Sequence, residues 1–353
     1  MRSGNIGLAA AALVSALWAS PIEANKLVPG STADLDALEP YGGKDASILR
    51  HPADWSRDVY PLQVHSHNDY WRDSPVYEAL AHGVMSVESD VWLNPDDGEL
   101  YVGHDPFSLS VERTFHSITL DPLKKAIDQA NAANHLVSSS NKESSFFANL
   151  QKQQVTNLNK STTQYAGYFS GGVGLAAPIQ LLVDLKTEGN STYKKVVEDL
   201  EPLRKAGYLT RYEAGKVIPG PLFIIGTGNS PAAEIAAATS RAIFLDCPLG
   251  DALTKGLDAP DGTHYEYNKT LCGIASTDFE SLVPGFTGAN EATDAQRQNL
   301  TAAIDAAHKL GIKTRLWDTP QWPVYARDNI NKLLFSLGSD WINADDLDAI
   351  QKF

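Results

Sequence analysis

From Tyr60 onward the chain alternates short β-rich apolar runs with stretches of helical period, and this rhythm restricts the fold more than any other feature of its 353 residues. Pro61–His65, Val84–Leu93, Ile179–Lys186, Pro221–Gly226, Ala242–Asp246, Leu271–Thr277, Ile312–Trp317 and Asp340–Asn343 read as strands. Between them Pro75–His82, Pro122–Asn134, Tyr193–Ala206, Ala232–Ser240, Asp294–Leu310 and Asp328–Leu337 read as helices. Alternation over roughly 280 residues predicts a parallel sheet, and eight repeats favour closure into a (β/α)8 TIM barrel over an open sheet. No internal repeat is visible, so residues 60–353 are expected to form one domain, interrupted by a Ser/Asn/Gln-rich insertion at about 138–165. Residues 25–59 mix Pro, Gly, Asp and Ser without a period and are expected to form an N-terminal arm.

The first 24 residues carry Arg2, an apolar run from Ile6 to Ala19, and a small-residue stretch ending at Ala24. This is the pattern of a secretory signal peptide, with an uncleaved anchor as the alternative; the run is shorter than the roughly 20 apolar residues of a span. Secretion is therefore expected, with no transmembrane span elsewhere. Asn-x-Ser/Thr sequons at Asn159, Asn190, Asn268 and Asn299 agree with export. In an oxidising compartment the only two cysteines, Cys247 and Cys272, most simply form one disulfide, the alternative being two free buried thiols.

With 43 acidic against 29 basic residues and a net charge of −14, the chain lacks the footprint of a nucleic-acid binder and of a polybasic membrane patch. An anionic substrate needs that field reversed locally, and a divalent cation held by carboxylates does this most simply. The strand ends supply candidates, because a barrel carries its functional groups where strands reach the C-terminal face. The first strand runs into His65-Ser66-His67-Asn68-Asp69-Tyr70. In the second, period two puts Glu88 and Asp90 on one face and Val87 and Val91 on the other. Two adjacent carboxylates inside a barrel repel unless a cation compensates them. A hairpin-like return, Asp97 to Val102, delivers Gly103-His104-Asp105 close to that pair, and the third strand places Asp184 and Lys186 on one face. Three carboxylates for a hard cation, two imidazoles for proton transfer and one ammonium for an anion suit phosphodiester chemistry.

The ordered set His65, Glu88-x-Asp90, Gly-His104-Asp and Asp184-x-Lys186 resembles the glycerophosphodiester phosphodiesterase and phosphatidylinositol phospholipase C-like superfamily of TIM barrels. Within it, His-Ser-His-Asn-Asp-Tyr, Glu-Ser-Asp-Val-Trp-Leu and Gly-His-Asp are most similar to the fungal altered inheritance of mitochondria protein 6 family. The resemblance implies His65 and His104 as acid and base, Glu88, Asp90 and Asp184 as metal ligands, and Lys186 as a phosphate-contacting cation. It implies a divalent cofactor, magnesium in preference to calcium, and a phosphodiester or lipid head-group substrate, attacked by water or by a neighbouring hydroxyl through a cyclic phosphate. The chain departs from the common glycerophosphodiesterase pattern. His65-Ser66-His67 stands where His-Arg-Gly is usual, and the third strand has Asp184 in place of Glu. His65…Asn68 and Asp184-Leu185-Lys186 are closer to the sphingomyelinase D branch.

Asn68 is expected to support the metal or phosphate, or else to close an Asx-turn. Trp317 is expected to line the pocket, with core packing as the alternative. His67 stands outside the expected acid/base pair, Asp184 with Lys186 reads alternatively as an internal salt bridge, and Gly226-Thr227-Gly228-Asn229 reads as a plain βα turn. A glycoside hydrolase and an inactive binding barrel are the competing functions; the former needs no lysine and no pair of histidines. A monomer is expected.

Overall fold

The computed structural model describes residues 59–131, 167–169 and 177–353. The expected signal peptide, the arm up to residue 58, the insertion at 138–165 and the Asn159 sequon lie outside the described residues.

Eight parallel strands form the wall: β1 (Leu62–Ser66), β2 (Val84–Leu93), β3 (Ile179–Leu185), β4 (Leu222–Gly228), β5 (Ile243–Pro248), β6 (Cys272–Asp278), β7 (Thr314–Trp317) and β8 (Trp341–Ala344). Each pairs with its sequence neighbours. The sheet closes because β1 pairs on one side with β8, His65 opposite Asn343, and on the other with β2, His65 opposite Ser86. All eight expected strands are present, with ends within two residues of those expected. The runs are apolar on both faces, as in β3 with Ile-Gln-Leu-Leu-Val-Asp-Leu, because a barrel wall is covered outside by helices and filled inside by side chains. The short strand Leu100–Val102 returns antiparallel to the end of β2, Val91 opposite Val102, as the hairpin reading expected.

The covering helices are α1 (Tyr77–Ala81), α2 (Asp121–Asn131), α3 (Gly189–Asp199), α4 (Glu201–Lys205), α5 (Ala232–Ala237), α6 (Phe279–Leu282), α7 (Asp294–Lys309), α8 (Val324–Ser336) and α9 (Leu347–Gln351). Three differ from expectation for local reasons. The single helix expected over Tyr193–Ala206 starts earlier, because the Glu188 side chain caps the amides of Asn190 and Ser191. It then breaks after Asp199, because Pro202 sits in the first turn of α4 and has no amide to continue the ladder. α8 begins directly after Pro323, four residues before the expected Asp328. α5 stops at Ala237, freeing Ser240-Arg241 to pair with Arg211–Glu213 in a small three-stranded sheet. Between β5 and β6 there is no α-helix. A 3-10 turn (Asp251–Lys255) and a two-residue ribbon, Leu257-Asp258 with His264-Tyr265, fill the space, and Gly250 and Gly256 bracket the turn at positive φ.

Candidate active site

The polar side chains singled out on the first three strands converge at the barrel mouth. In register, Asp90 of β2 lies opposite Asp184 of β3. Glu88, Asp90 and Asp184 each offer an oxygen within 4.8 Å of the others, and this acidic cluster could hold a metal ion. Lys186 spans two of them, donating to Asp184 Oδ2 at 2.7 Å and lying 3.0 Å from Asp90 Oδ2. The second oxygens, Asp90 Oδ1 and Asp184 Oδ1, are buried without a hydrogen-bond partner. Two bare anionic oxygens beside a third carboxylate are costly unless a cation joins them, so the donor set fits a hard divalent ion that prefers oxygen.

Electrostatics within the cluster are divided. Burial, then the neighbouring Glu88 and Asp184 charges, push Asp90 above the usual carboxylate range against the pull of Lys186. Burial would also raise Glu88, but His65, and then Arg315 and His67, hold it well below that range. Burial opposes the charge on Lys186, yet the Asp184 and Asp90 carboxylates raise its pKa, so it remains an ammonium.

The two expected histidines occupy different depths. His65 is fully buried, its Nδ1 hydrogen-bonded to Ser86 Oγ at 2.7 Å and its unpartnered Nε2 3.6 Å from Glu88 Oε2. Burial, reinforced by Arg315, lowers its pKa to about 4, so the ring is neutral at physiological pH. His104 is half exposed, its Nδ1 3.5 Å from Asp90 Oδ2 and 3.4 Å from the Tyr70 hydroxyl. His67 also reaches the site. Its Nε2 is 4.0 Å from the same Glu88 oxygen as His65, and Asp345 holds its Nδ1 at 2.8 Å. Burial works against protonation of His67, but Asp345 and Glu88 prevail and raise its pKa.

Asn68 acts through its backbone. Its left-handed conformation, φ 49°, turns its amide toward Glu88 Oε2 at 2.8 Å, while its side-chain oxygen accepts from the Tyr70 hydroxyl. Tyr70 also reaches Asp90 Oδ2 at 2.8 Å, and burial together with that charge keeps its hydroxyl protonated. Trp317 ends β7 with 38% of its surface exposed and is not a core residue.

Of Gly226-Thr227-Gly228-Asn229, read from sequence as a βα turn, the first three residues continue β4 and only Asn229 turns. Gly228 has φ +61°, and a Cβ there would lie 1.9 Å from Asp184 Oδ1, so only glycine lets this carboxylate stand where it does. The Asn229 amide donates to Leu185 O at 2.9 Å, fixing the turn against β3. Beside it a cavity of about 610 Å³ opens along Lys186, Glu188 and Asn229.

Several site residues had no assigned role at the level of sequence. Arg315 is buried on β7, bound to Asn343 Oδ1 at 2.9 Å and 4.0 Å from Glu88 Oε1. Asp246 on β5 accepts the Ser276 hydroxyl proton, its Oδ1 and Oδ2 lying 2.7 and 2.6 Å from Ser276 Oγ. Burial pushes Asp246 up to about 6, against the opposing pull of Arg315. Arg315 shares strand parity with Trp317, and a lone arginine inside an apolar strand was the available signal. Asp345 orients His67 from the far end of the chain.

The family model of the AIM6-like phosphodiesterase domain matches residues 53–165 and 149–246. The altered inheritance of mitochondria protein 6 homolog of Arthroderma benhamiae is 32% identical over 315 residues, 87% of this chain and 88% of that protein. The protein of the same name from Eremothecium gossypii is 30% identical, covering 84% of this chain and 71% of the relative, and that of Saccharomyces cerevisiae strain RM11-1a is 31% identical, covering 83% and 70%. The residues matched by the family model include β2 and β3, the strands that carry the acidic cluster. The chain therefore belongs to the AIM6-like phosphodiesterase family.

Proposed function

We propose that the chain is a secreted, metal-dependent phosphoric diester hydrolase acting on a glycerophosphodiester or a phospholipid-type head group. The observation that carries this reading is the convergence of Glu88, Asp90 and Asp184 with two unpartnered buried oxygens, next to Lys186. Glu88, Asp90 and Asp184 would hold a divalent cation, magnesium by preference, which when bound neutralises charge on the phosphate and lowers the barrier to in-line displacement. Lys186 contacts a non-bridging phosphate oxygen and opposes the negative charge that accumulates there. His65, neutral and with a free Nε2, accepts the proton of the attacking water or substrate hydroxyl. His104 at the rim, held near Asp90 and Tyr70, delivers a proton to the leaving oxygen. Attack by a substrate hydroxyl gives a cyclic phosphate first. Trp317 packs against the substrate's apolar part.

The same wall speaks against sugar chemistry, since three carboxylates crowd one point beside an ammonium and do not flank a ring from two sides. Export is supported by the Cys247–Cys272 disulfide and by exposed sequons at Asn190 and Asn299. The Asn268 side chain is occupied by Thr270 and Glu266, which makes it the weakest acceptor of the three described. A panel of glycerophosphodiesters, lysophospholipids, sphingomyelin and phosphoinositides, assayed with magnesium, calcium or EDTA, tests the reading. Turnover is expected to vanish in EDTA and return with magnesium, and His65→Ala and His104→Ala are each expected to lose roughly 10²–10⁴-fold. EDTA-insensitive turnover, or full activity in either histidine variant, would overturn it.

A further inference from the structure

All three exposed tryptophans among the described residues stand on one face of the barrel. Trp71, 60% exposed, follows β1; Trp317 ends β7; Trp322, 79% exposed, lies in the loop after β7. Phe107, 99% exposed, and Val111 occupy the segment that leaves β2 after the hairpin return. These loops emerge from the C-terminal ends of β1, β2 and β7, the end at which His104 and Lys186 stand. Trp71 joins the ring to the site directly, its ring 5.2 Å from that of His104.

Single exposed apolar residues are ordinary, but a phenylalanine held almost wholly in water is not. The turn that carries it is well built: Asp105 accepts from the amides of Phe107 and Ser108 at 2.9 and 3.0 Å, and Ser108 closes a capping box. The four aromatics project from three connections, after β1, after β2 and after β7, around the barrel mouth. This arrangement matches a soft planar medium, where indole rings settle at the head-group level, better than a protein partner that needs one contiguous patch. Charge selects the kind of surface. The same loops expose Asp73, Asp105, Glu112 and Asp318. Their arginines are engaged internally, Arg72 with Ser66 and the Asp345 carbonyl, Arg113 with the Tyr70 carbonyl. Such a rim repels anionic head groups and tolerates zwitterionic ones, whose outermost ammonium groups meet carboxylates and aromatic faces.

We propose that this aromatic ring docks the barrel mouth onto a zwitterionic phospholipid surface, so that the site meets its diester at the interface. The inference rests on the phosphodiesterase reading for the identity of the docked face, and its test reads binding apart from turnover. Flotation of the full chain with phosphatidylcholine vesicles is expected to carry the protein upward. The double variant Phe107→Ser/Trp322→Ser is expected to partition about tenfold or more less strongly, while its turnover of a water-soluble phosphodiester stays within about twofold. Replacing half of the lipid with phosphatidylglycerol is expected to weaken binding of the wild type. A wild type that stays in the lipid-free fraction, a double variant that floats equally, or stronger capture by anionic vesicles would overturn the proposal. A chain that floats yet hydrolyses no phosphodiester breaks the enzymatic reading and leaves the docking intact; an active chain that never floats does the reverse.

Discussion

The barrel has two polar walls, and they are in opposite electrostatic states. Strands β1–β3 bring three carboxylates against one ammonium, leave two carboxylate oxygens and the Nε2 of His65 unpartnered, and pull the pKa values of Glu88 and Asp90 in opposite directions. Strands β5–β8 bury polar groups mostly in matched pairs, Asp246 with Ser276, Arg315 with Asn343, and Cys247 joined to Cys272, with the neutral Trp341 Nε1 left without a hydrogen bond. Matched groups hold a wall together, whereas like charges in one place must be resolved by something that arrives from outside. The first wall is therefore built for a ligand and the second for the barrel itself, although Arg315 links them by lowering both Glu88 and His65.

This division can be broken at either wall. The largest effect is expected at the first: Asp184→Asn should lower kcat/KM by roughly a thousandfold and abolish divalent-cation binding by calorimetry. Its melting midpoint should shift by no more than about 1 kcal/mol equivalent, because a repulsive partner of Asp90 is removed along with a partly exposed ion pair. At the second wall the effect should reverse in kind. Cys247→Ala/Cys272→Ala opens a loop with a sequence separation of 25. It should cost about 3 kcal/mol in urea unfolding while activity per folded molecule stays within about twofold. If the disulfide variant lost activity as steeply as the carboxylate variant, the separation of walls would fail.

Gly228→Ala tests the seam between the walls. The added methyl would collide with Asp184 Oδ1 at a φ of +61°. Activity is expected to fall roughly tenfold to a hundredfold, with about 1 kcal/mol of destabilisation from the backbone. Asp246→Asn sharpens the contrast by pH. The native pKa of Asp246, about 6, lies above its ordinary value, so the folded state holds a proton that the unfolded state has already released. Stability from this group is complete below pH ~4 and is lost as pH rises through ~6, a burial cost of about 1–3 kcal/mol at neutral pH. The asparagine variant carries no such cost. Its melting temperature should exceed that of the wild type at pH 8, and the difference should vanish near pH 4.

The eight strands were legible because a buried parallel wall demands continuous apolar runs, and the period of two inside β2 and β3 was enough to put Glu88 with Asp90 and Asp184 with Lys186. His104 was legible through the hairpin that precedes it. The helix ends were less so, since capping by Glu188 and the interruption at Pro202 decide them locally. The connection between β5 and β6 carries no helical period in the sequence, and the structure fills it with a turn and a ribbon bracketed by glycines at positive φ.

What the sequence determined by itself is the barrel and the inventory of its first wall, both of which follow from short-range periodicity along single strands. Tertiary structure alone decided how those groups are paired. Asp345 orients His67 across 278 residues, Arg315 reaches Glu88 from the opposite wall, and a glycine on β4 makes room for a carboxylate on β3. Each of these relations depends on barrel closure, which brings strands distant in sequence within a few ångströms, and no periodicity along one strand encodes it.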